Sequence, residues 1–125
     1  MGYDETTASM VELLAQVGDE LRRQDVLWGE QDHPFRLGRN ATHIQEALSN
    51  SAENYAKAAG SWKRANDRRV QYGIPAWDSI LLEEVYEALA ETNEDRAVTE
   101  LIQVAAVAIN AALSIQRNGL AGKTD

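Results

Sequence analysis

Apolar residues along this chain recur every three or four positions, and no segment alternates with the period of two that a half-buried strand requires. Met10, Leu13, Leu14, Val17 and Leu21 make the first stripe. It predicts a helix from about Thr6 to Gln24, with Asp4 or Thr6 as its N-cap. The run from Trp28 to Asn40, WGEQDHPFRLGRN, carries two glycines and a proline and reads as a loop. Helical spacing resumes from about Thr42 to Gln71. Gly60 can divide or bend that segment, because glycine costs ~1 kcal/mol against alanine inside a helix. Tyr72-Gly73-Ile74-Pro75 reads as a helix end and a turn: glycine suits the position just past the helix, and proline cannot continue it. A third helix covers about Trp77 to Glu91, with Ile80, Leu81, Val85 and Leu89 toward the core. Thr92-Asn93 breaks the chain and caps a fourth helix, about Glu94 to Arg117. Asn118-Gly119 stops it and leaves residues 118–125 as a frayed tail. The pattern predicts an all-α bundle in a single domain spanning residues 1–125.

The fourth helix is apolar around most of its circumference, through Leu101, Val104, Ala105, Val107, Ala108, Ile109, Ala111 and Ala112. Such a helix has to be covered on most sides, and one bundle of 125 residues offers too little to cover it. A homo-oligomer, dimer or tetramer, is therefore expected.

Composition narrows the setting. There is no cysteine, hence no disulfide frame, thiolate metal site or cysteine nucleophile. The start, MGYDETTASMVELL, lacks the basic and apolar regions of a signal peptide. The longest apolar run, Val104 to Ala112, is broken by Asn110 and is shorter than the ~18 residues of a membrane span. The expectation is a soluble, cytoplasmic protein with no membrane partner. A net charge of −8 argues against a nucleic acid polymer as partner. A nucleotide remains possible, since Mg²⁺ can bridge acidic protein to polyphosphate. The charge is uneven: Lys57, Lys63, Arg64, Arg68 and Arg69 crowd one segment, and acids dominate from Asp78 to Glu100.

Those acids carry the chemistry. Glu83, Glu84, Glu87 and Glu91 fall within roughly one quadrant of a helix turning ~100° per residue. Like charges at these spacings repel. No lysine or arginine stands four residues after Glu83, Glu84 or Glu87 to relieve them. A hard divalent cation with oxygen ligands, Mg²⁺ above all, is the natural partner. Twelve residues separate Glu87 from Glu100, enough to end one helix and begin an antiparallel neighbour. Glu84 and Glu87 would then oppose Glu100 and Gln103, with Glu83 or Glu91 completing the shell or orienting water. The bland alternative is a solvated acidic helix face.

The pattern E-E-x-x-E, a gap, then E-x-x-Q resembles the metal-binding signature of the MazG-like, all-α nucleoside triphosphate pyrophosphohydrolases, E-E-x-x-E, a gap, then E-x-x-D. Glu83, Glu84, Glu87 and Glu100 match it, and the gap is at the short end of the family's range. Trp28-Gly29-Glu30-Gln31-Asp32-His33-Pro34, Trp77 and ELIQVAAVAI further resemble an actinobacterial and phage-type subgroup. Gln103 departs from the signature, which has aspartate there; its oxygen can ligate but brings no charge.

The resemblance implies an antiparallel four-helix bundle, oligomeric, that hydrolyses an NTP or dNTP to the monophosphate and pyrophosphate in nucleotide-pool housekeeping. Mg²⁺, or Mn²⁺ in its place, would be held by Glu84, Glu87, Glu100 and Gln103. Glu83, Glu84 and Glu87 form the catalytic set, with Glu83 aligning or deprotonating water. Lys57, Lys63, Arg64 and Arg68 are candidates for the phosphates. The WGEQDHP loop would form the base pocket, with Trp28 stacking and Gln31 and His33 hydrogen-bonding. Two other readings compete: a non-catalytic nucleotide or alarmone-binding protein that keeps the fold, and a structural helical oligomer.

Overall fold

The computed structural model describes residues 5–36 and 51–122. Four α-helices account for most of them: α1 (Glu5–Trp28), α2 (Ala52–Gln71), α3 (Trp77–Ala90) and α4 (Glu94–Asn118). No strand occurs among the described residues. The expected all-α class is met.

The helix ends follow local chemistry. α1 runs one turn beyond the predicted Gln24, because nothing between Asp25 and Trp28 breaks a helix. Gly29 ends it with φ +67°, its N–H donating to the Asp25 carbonyl at 2.8 Å. Trp28 is therefore helical rather than part of a loop. α2 starts at Ala52, where the Ser51 hydroxyl accepts from the Asn54 N–H at 3.1 Å. The stretch from Thr42 that was expected to open this helix, His43 included, lies outside the described residues. α2 is continuous through Gly60.

Its end is fully specified. Gly73 takes φ +72° and donates to the Val70 carbonyl at 3.0 Å, while Ile74 donates to the Arg69 carbonyl at 2.8 Å. That pair of bonds satisfies two of the carbonyls a helix end leaves orphaned. The tight reversal sends α3 back along α2. Tyr55 faces Tyr86, Asn66 faces Ser79 and Glu83, and Arg69 faces Asp78. Partner numbers fall on α3 as they rise on α2, so the two helices are antiparallel. Ala59 of α2 and Ser79 and Ala88 of α3 are buried. The α3–α4 turn is closed by Asn93, whose side chain accepts from the Arg96 N–H at 3.0 Å and caps α4.

The chain divides into two compact units, Pro34–Ala108 and Met1–His33 with Ile109–Asp125. The first holds α2, α3 and the start of α4. The second holds α1 and the end of α4, where Leu113 is buried. Of the α4 residues expected to need covering, Leu101, Ala105 and Ala108 are exposed in the single chain, and Val104, Val107, Ile109, Ala111 and Ala112 are half-buried. Val98 is 59% exposed and Ile102 64%, and on α1 Leu14 and Leu21 are exposed as well. α4 is also long and apolar enough, by length and composition, to cross a membrane.

Candidate metal centre

α3 places Glu83 and Glu84 on one turn and Glu87 on the next, and the short Glu91–Asn93 link brings Glu100 of α4 against Glu84 and Glu87. One carboxylate oxygen from each of Glu84, Glu87 and Glu100 lies within 4.8 Å of the other two. All three residues are half-buried. Glu84 Oε2 and Glu100 Oε2 are buried atoms without a hydrogen-bond partner. A buried carboxylate oxygen left unpaired costs on the order of 1–3 kcal/mol or more. Two such atoms in one spot are what a cation would satisfy.

Electrostatics tells the same story. Burial pushes the Glu84 carboxyl above its ordinary value, and the charges of Glu100 and Glu83 push it further. Glu87 is pushed up to about 7, by burial first, then by its hydrogen bond with Glu83 and the charges of Glu84, Glu83 and Glu100. Without a cation, then, the cluster holds a proton near neutrality to relieve its own repulsion. Three oxygen donors of full or partial negative charge suit a hard divalent ion. The residues present fit Mg²⁺.

Glu83, hydrogen-bonded to Glu87, is not one of the three converging carboxylates. Its Oε1 accepts from Asn66 Nδ2 of α2 at 2.8 Å. Glu91, expected to complete the shell or orient water, is used elsewhere. The helix ends at Ala90, and Glu91 Oε1 instead accepts from the free N–H groups of Thr92 and Asn93 at 3.1 Å each. Gln103 is exposed, about one turn along α4 from Glu100.

The four basic candidates on α2 are all exposed. Asn66 and Arg69 define the side of α2 that faces α3. Lys57, Arg64 and Arg68 lie about 160–200° around the helix from Asn66, and Lys63 about 60°. The first three thus point away from α3, and two have local partners: Lys57 lies 4.0 Å from Glu53, and Arg64 donates to the Ser61 hydroxyl at 3.3 Å. Trp28, Gln31 and His33 line one open hollow together with Glu30 and Asp32. That hollow belongs to the unit containing α1, whereas the carboxylates belong to the other.

Three residues near the carboxylates escaped the sequence reading, Asn66, Ser79 and Arg36, and a fourth, Arg69, was read only as part of the basic segment. Asn66, Ser79 and Arg69 form a polar bridge between α2 and α3. Arg36 donates to the carbonyls of Leu89 at 2.8 Å and Glu91 at 2.7 Å, tying off the C-terminus of α3. Asn66 had a signal: it interrupts the apolar stripe of Ala59, Trp62 and Ala65 on α2. No protein-family model, curated protein or solved structure matches this chain.

Proposed function

We propose that this chain is a magnesium-dependent nucleoside triphosphate pyrophosphohydrolase of the MazG-like kind, converting an NTP or dNTP to the monophosphate and pyrophosphate. The observation that carries the reading is the convergence of Glu84, Glu87 and Glu100 within 4.8 Å, with two buried carboxylate oxygens lacking any partner. Glu84, Glu87 and Glu100 would hold the ion, and Gln103 offers an uncharged oxygen one turn away. When bound, Mg²⁺ neutralises phosphate oxygens and stabilises the charge that develops on departing pyrophosphate. Glu83, outside the trio, orients or deprotonates the attacking water. Of the four cations on α2, Lys63 is favoured for the phosphates, since it alone lies toward the α3 side.

The finer architecture belongs to the same reading: an antiparallel four-helix bundle completed by further copies of the chain, which cover the open apolar faces of α1 and α4. A bilayer is the other possible cover for α4. A helix that commits Glu100 to a carboxylate cluster, and also carries Gln103 and Asn110, is costly to place in hydrocarbon. A cytoplasmic location, with access to the nucleotide pool, goes with this choice.

A panel of NTPs and dNTPs with Mg²⁺ tests the reaction. Pyrophosphate release that is lost in Glu84→Gln or Glu87→Gln supports it, and orthophosphate in place of pyrophosphate rejects cleavage between the α and β phosphates. Gln103, where the signature has aspartate, favours a second reading as a nucleotide or alarmone sensor. Nucleotide binding by calorimetry with no product over hours would select that one.

A further inference from the structure

The three-carboxylate cluster has a neighbour that the metal reading does not use. Asn66, half-buried on α2, has its side-chain amide fully engaged. Nδ2 donates to Glu83 Oε1 at 2.8 Å and to the Ser79 carbonyl at 3.0 Å, while Oδ1 accepts from Ser79 Oγ at 2.5 Å. Ser79 is completely buried. Its hydroxyl oxygen also accepts from Arg69 Nη1 at 2.9 Å, and Arg69 is anchored by Asp78 Oδ1 at 2.8 Å.

The donor at one end of this chain of bonds is fixed. Arginine keeps its protons at any ordinary pH, so Arg69 is always the donor to Ser79 Oγ. The single hydroxyl hydrogen of Ser79 then points to another acceptor, and Asn66 Oδ1 at 2.5 Å takes it in preference to the Ala76 carbonyl at 3.4 Å. That fixes which end of the Asn66 amide is oxygen, and so turns its NH₂ toward Glu83. A donor at this point holds the Glu83 side chain toward α2. The trio of converging oxygens accordingly comes from Glu84, Glu87 and Glu100, without Glu83.

We infer that Asn66 is a positioning residue. It holds Glu83 out of the metal-binding trio and in place as the carboxylate that serves water, with Ser79 and Arg69 setting the orientation of its amide. The inference rests on the hydrolase reading above for its catalytic consequence, but the hydrogen bond and the division of the glutamates can be measured without turnover.

Asn66→Asp is the informative substitution. It keeps size and the acceptor for Ser79 Oγ, and replaces the donor to Glu83 with a second acceptor. The expected result is a fall in kcat of about 10- to 100-fold, the scale of a displaced reacting group. KM for nucleotide should stay within about threefold, and Mn²⁺ affinity by calorimetry should be unchanged or tighter, since Glu83 is freed toward the ion. Damage that was merely structural would weaken metal binding along with turnover. Ser79→Ala, which frees the amide to flip, should lower kcat by a smaller factor with the same unchanged Mn²⁺ binding.

A second measurement does not depend on activity. In ¹⁵N-labelled protein, the Asn66 side-chain amide signals, assigned by their loss in Asn66→Asp, should shift in Glu83→Gln. A folded Asn66→Asp protein with kcat within twofold of the parent overturns the inference. So does an Asn66 amide signal indifferent to Glu83→Gln, or Mn²⁺ affinity that drops in Asn66→Asp. If the unsubstituted chain hydrolyses no nucleotide, the hydrolase reading fails, and the amide signal and Mn²⁺ affinity still decide whether Asn66 sets the division of the glutamates.

Discussion

α1 and α3 each carry closely spaced acids, and the two helices settle them in opposite ways. On α1, Asp19 pairs with Arg22, and Glu20 pairs with Arg23, both three residues on. The Arg23 guanidinium, hydrogen-bonded to it, and then Gln24 hold the exposed Glu20 carboxyl down at about 2. On α3, Glu84 and Glu87 have no such cation, lie half-buried, and are pushed up instead, Glu87 to about 7. A solvated acidic face brings its own counter-charges. An acidic face that omits them and buries its oxygens leaves the counter-charge to be supplied from outside. The chain thus contains its own control for the metal reading.

The largest effect expected from this contrast is on turnover. Glu84→Gln or Glu87→Gln keeps shape and removes one negative charge. Each should lower pyrophosphate release about 100-fold or more, the scale of losing a preorganised electrostatic group. Glu20→Gln, equally conservative, should leave the rate within twofold. Equal losses in both helices would mean that the α3 acids act through general stability.

Proton linkage gives the next contrast. Glu87 has a folded value of about 7 against an ordinary 4.5. Between these values the folded state holds a proton that the unfolded state has lost, so stability falls as pH rises from ~4.5 through ~7. The metal-free protein should therefore melt a few degrees lower at pH 7.5 than at pH 5, on the order of 3–5 °C. Saturating Mg²⁺ or Mn²⁺ should restore the loss at the higher pH, and a chelator should bring it back. Glu20 has the opposite sign: its folded value lies below the ordinary one, so its contribution is present above ~4.5 and fades on acidification toward ~2. Thermal melts with and without Mg²⁺ across this range separate the two. A melting temperature that rises from pH 5 to pH 7.5 without metal would contradict the α3 account.

The difference between the helices also marks what could be read in advance. The period of a helix fixes which glutamates share a face, and a twelve-residue gap limits how the next helix returns. Glu84, Glu87 and Glu100 were therefore legible. Asn66 was not, because its partner depends on the register of α2 against α3, a tertiary choice made by the Gly73 turn and by the packing of Tyr55 on Tyr86. Glu91 shares the arc of the other glutamates on a helical wheel. Its carboxylate was nonetheless diverted to two turn N–H groups once the helix stopped at Ala90. The basic residues of α2 were visible as a cluster, but only the side taken by Asn66 and Arg69 shows that three of the four face away. Helix ends were read to within a turn where a glycine or a cap marks them. At Trp28, α1 simply continued until the first glycine.

Arg36 sharpens the comparison at the end of α3. Its guanidinium binds the carbonyls of Leu89 and Glu91, groups that a helix C-terminus otherwise leaves orphaned. Arg36→Ala should destabilise the protein by about 1–2 kcal/mol, as expected for charge-assisted bonds that are partly buried. Chemical denaturation measures it. Because the same carbonyls sit where the chain leaves α3 for α4, the loss should also weaken Mn²⁺ binding modestly, by loosening Glu100 relative to Glu84 and Glu87. Unchanged Mn²⁺ affinity in a destabilised Arg36→Ala protein would show that the cluster does not depend on this end of α3.

The smallest effect belongs to α1. Arg22 and Asp19 are both more than 70% exposed, and an exposed pair three residues apart contributes ~0.5 kcal/mol or less. Arg22→Ala should lie within that margin in denaturant melts, and the difference should vanish in high salt, since solvent and ions replace the partner. On α3 the corresponding experiment is the addition of Mg²⁺, and salt should not replace it there, because a monovalent ion brings half the charge to the clustered carboxylates. If 0.5 M NaCl raised the pH 7.5 melting temperature of the metal-free protein as much as Mg²⁺ does, the α3 acids would be an ordinary screened cluster like those of α1, and the distinction on which the metal centre rests would disappear.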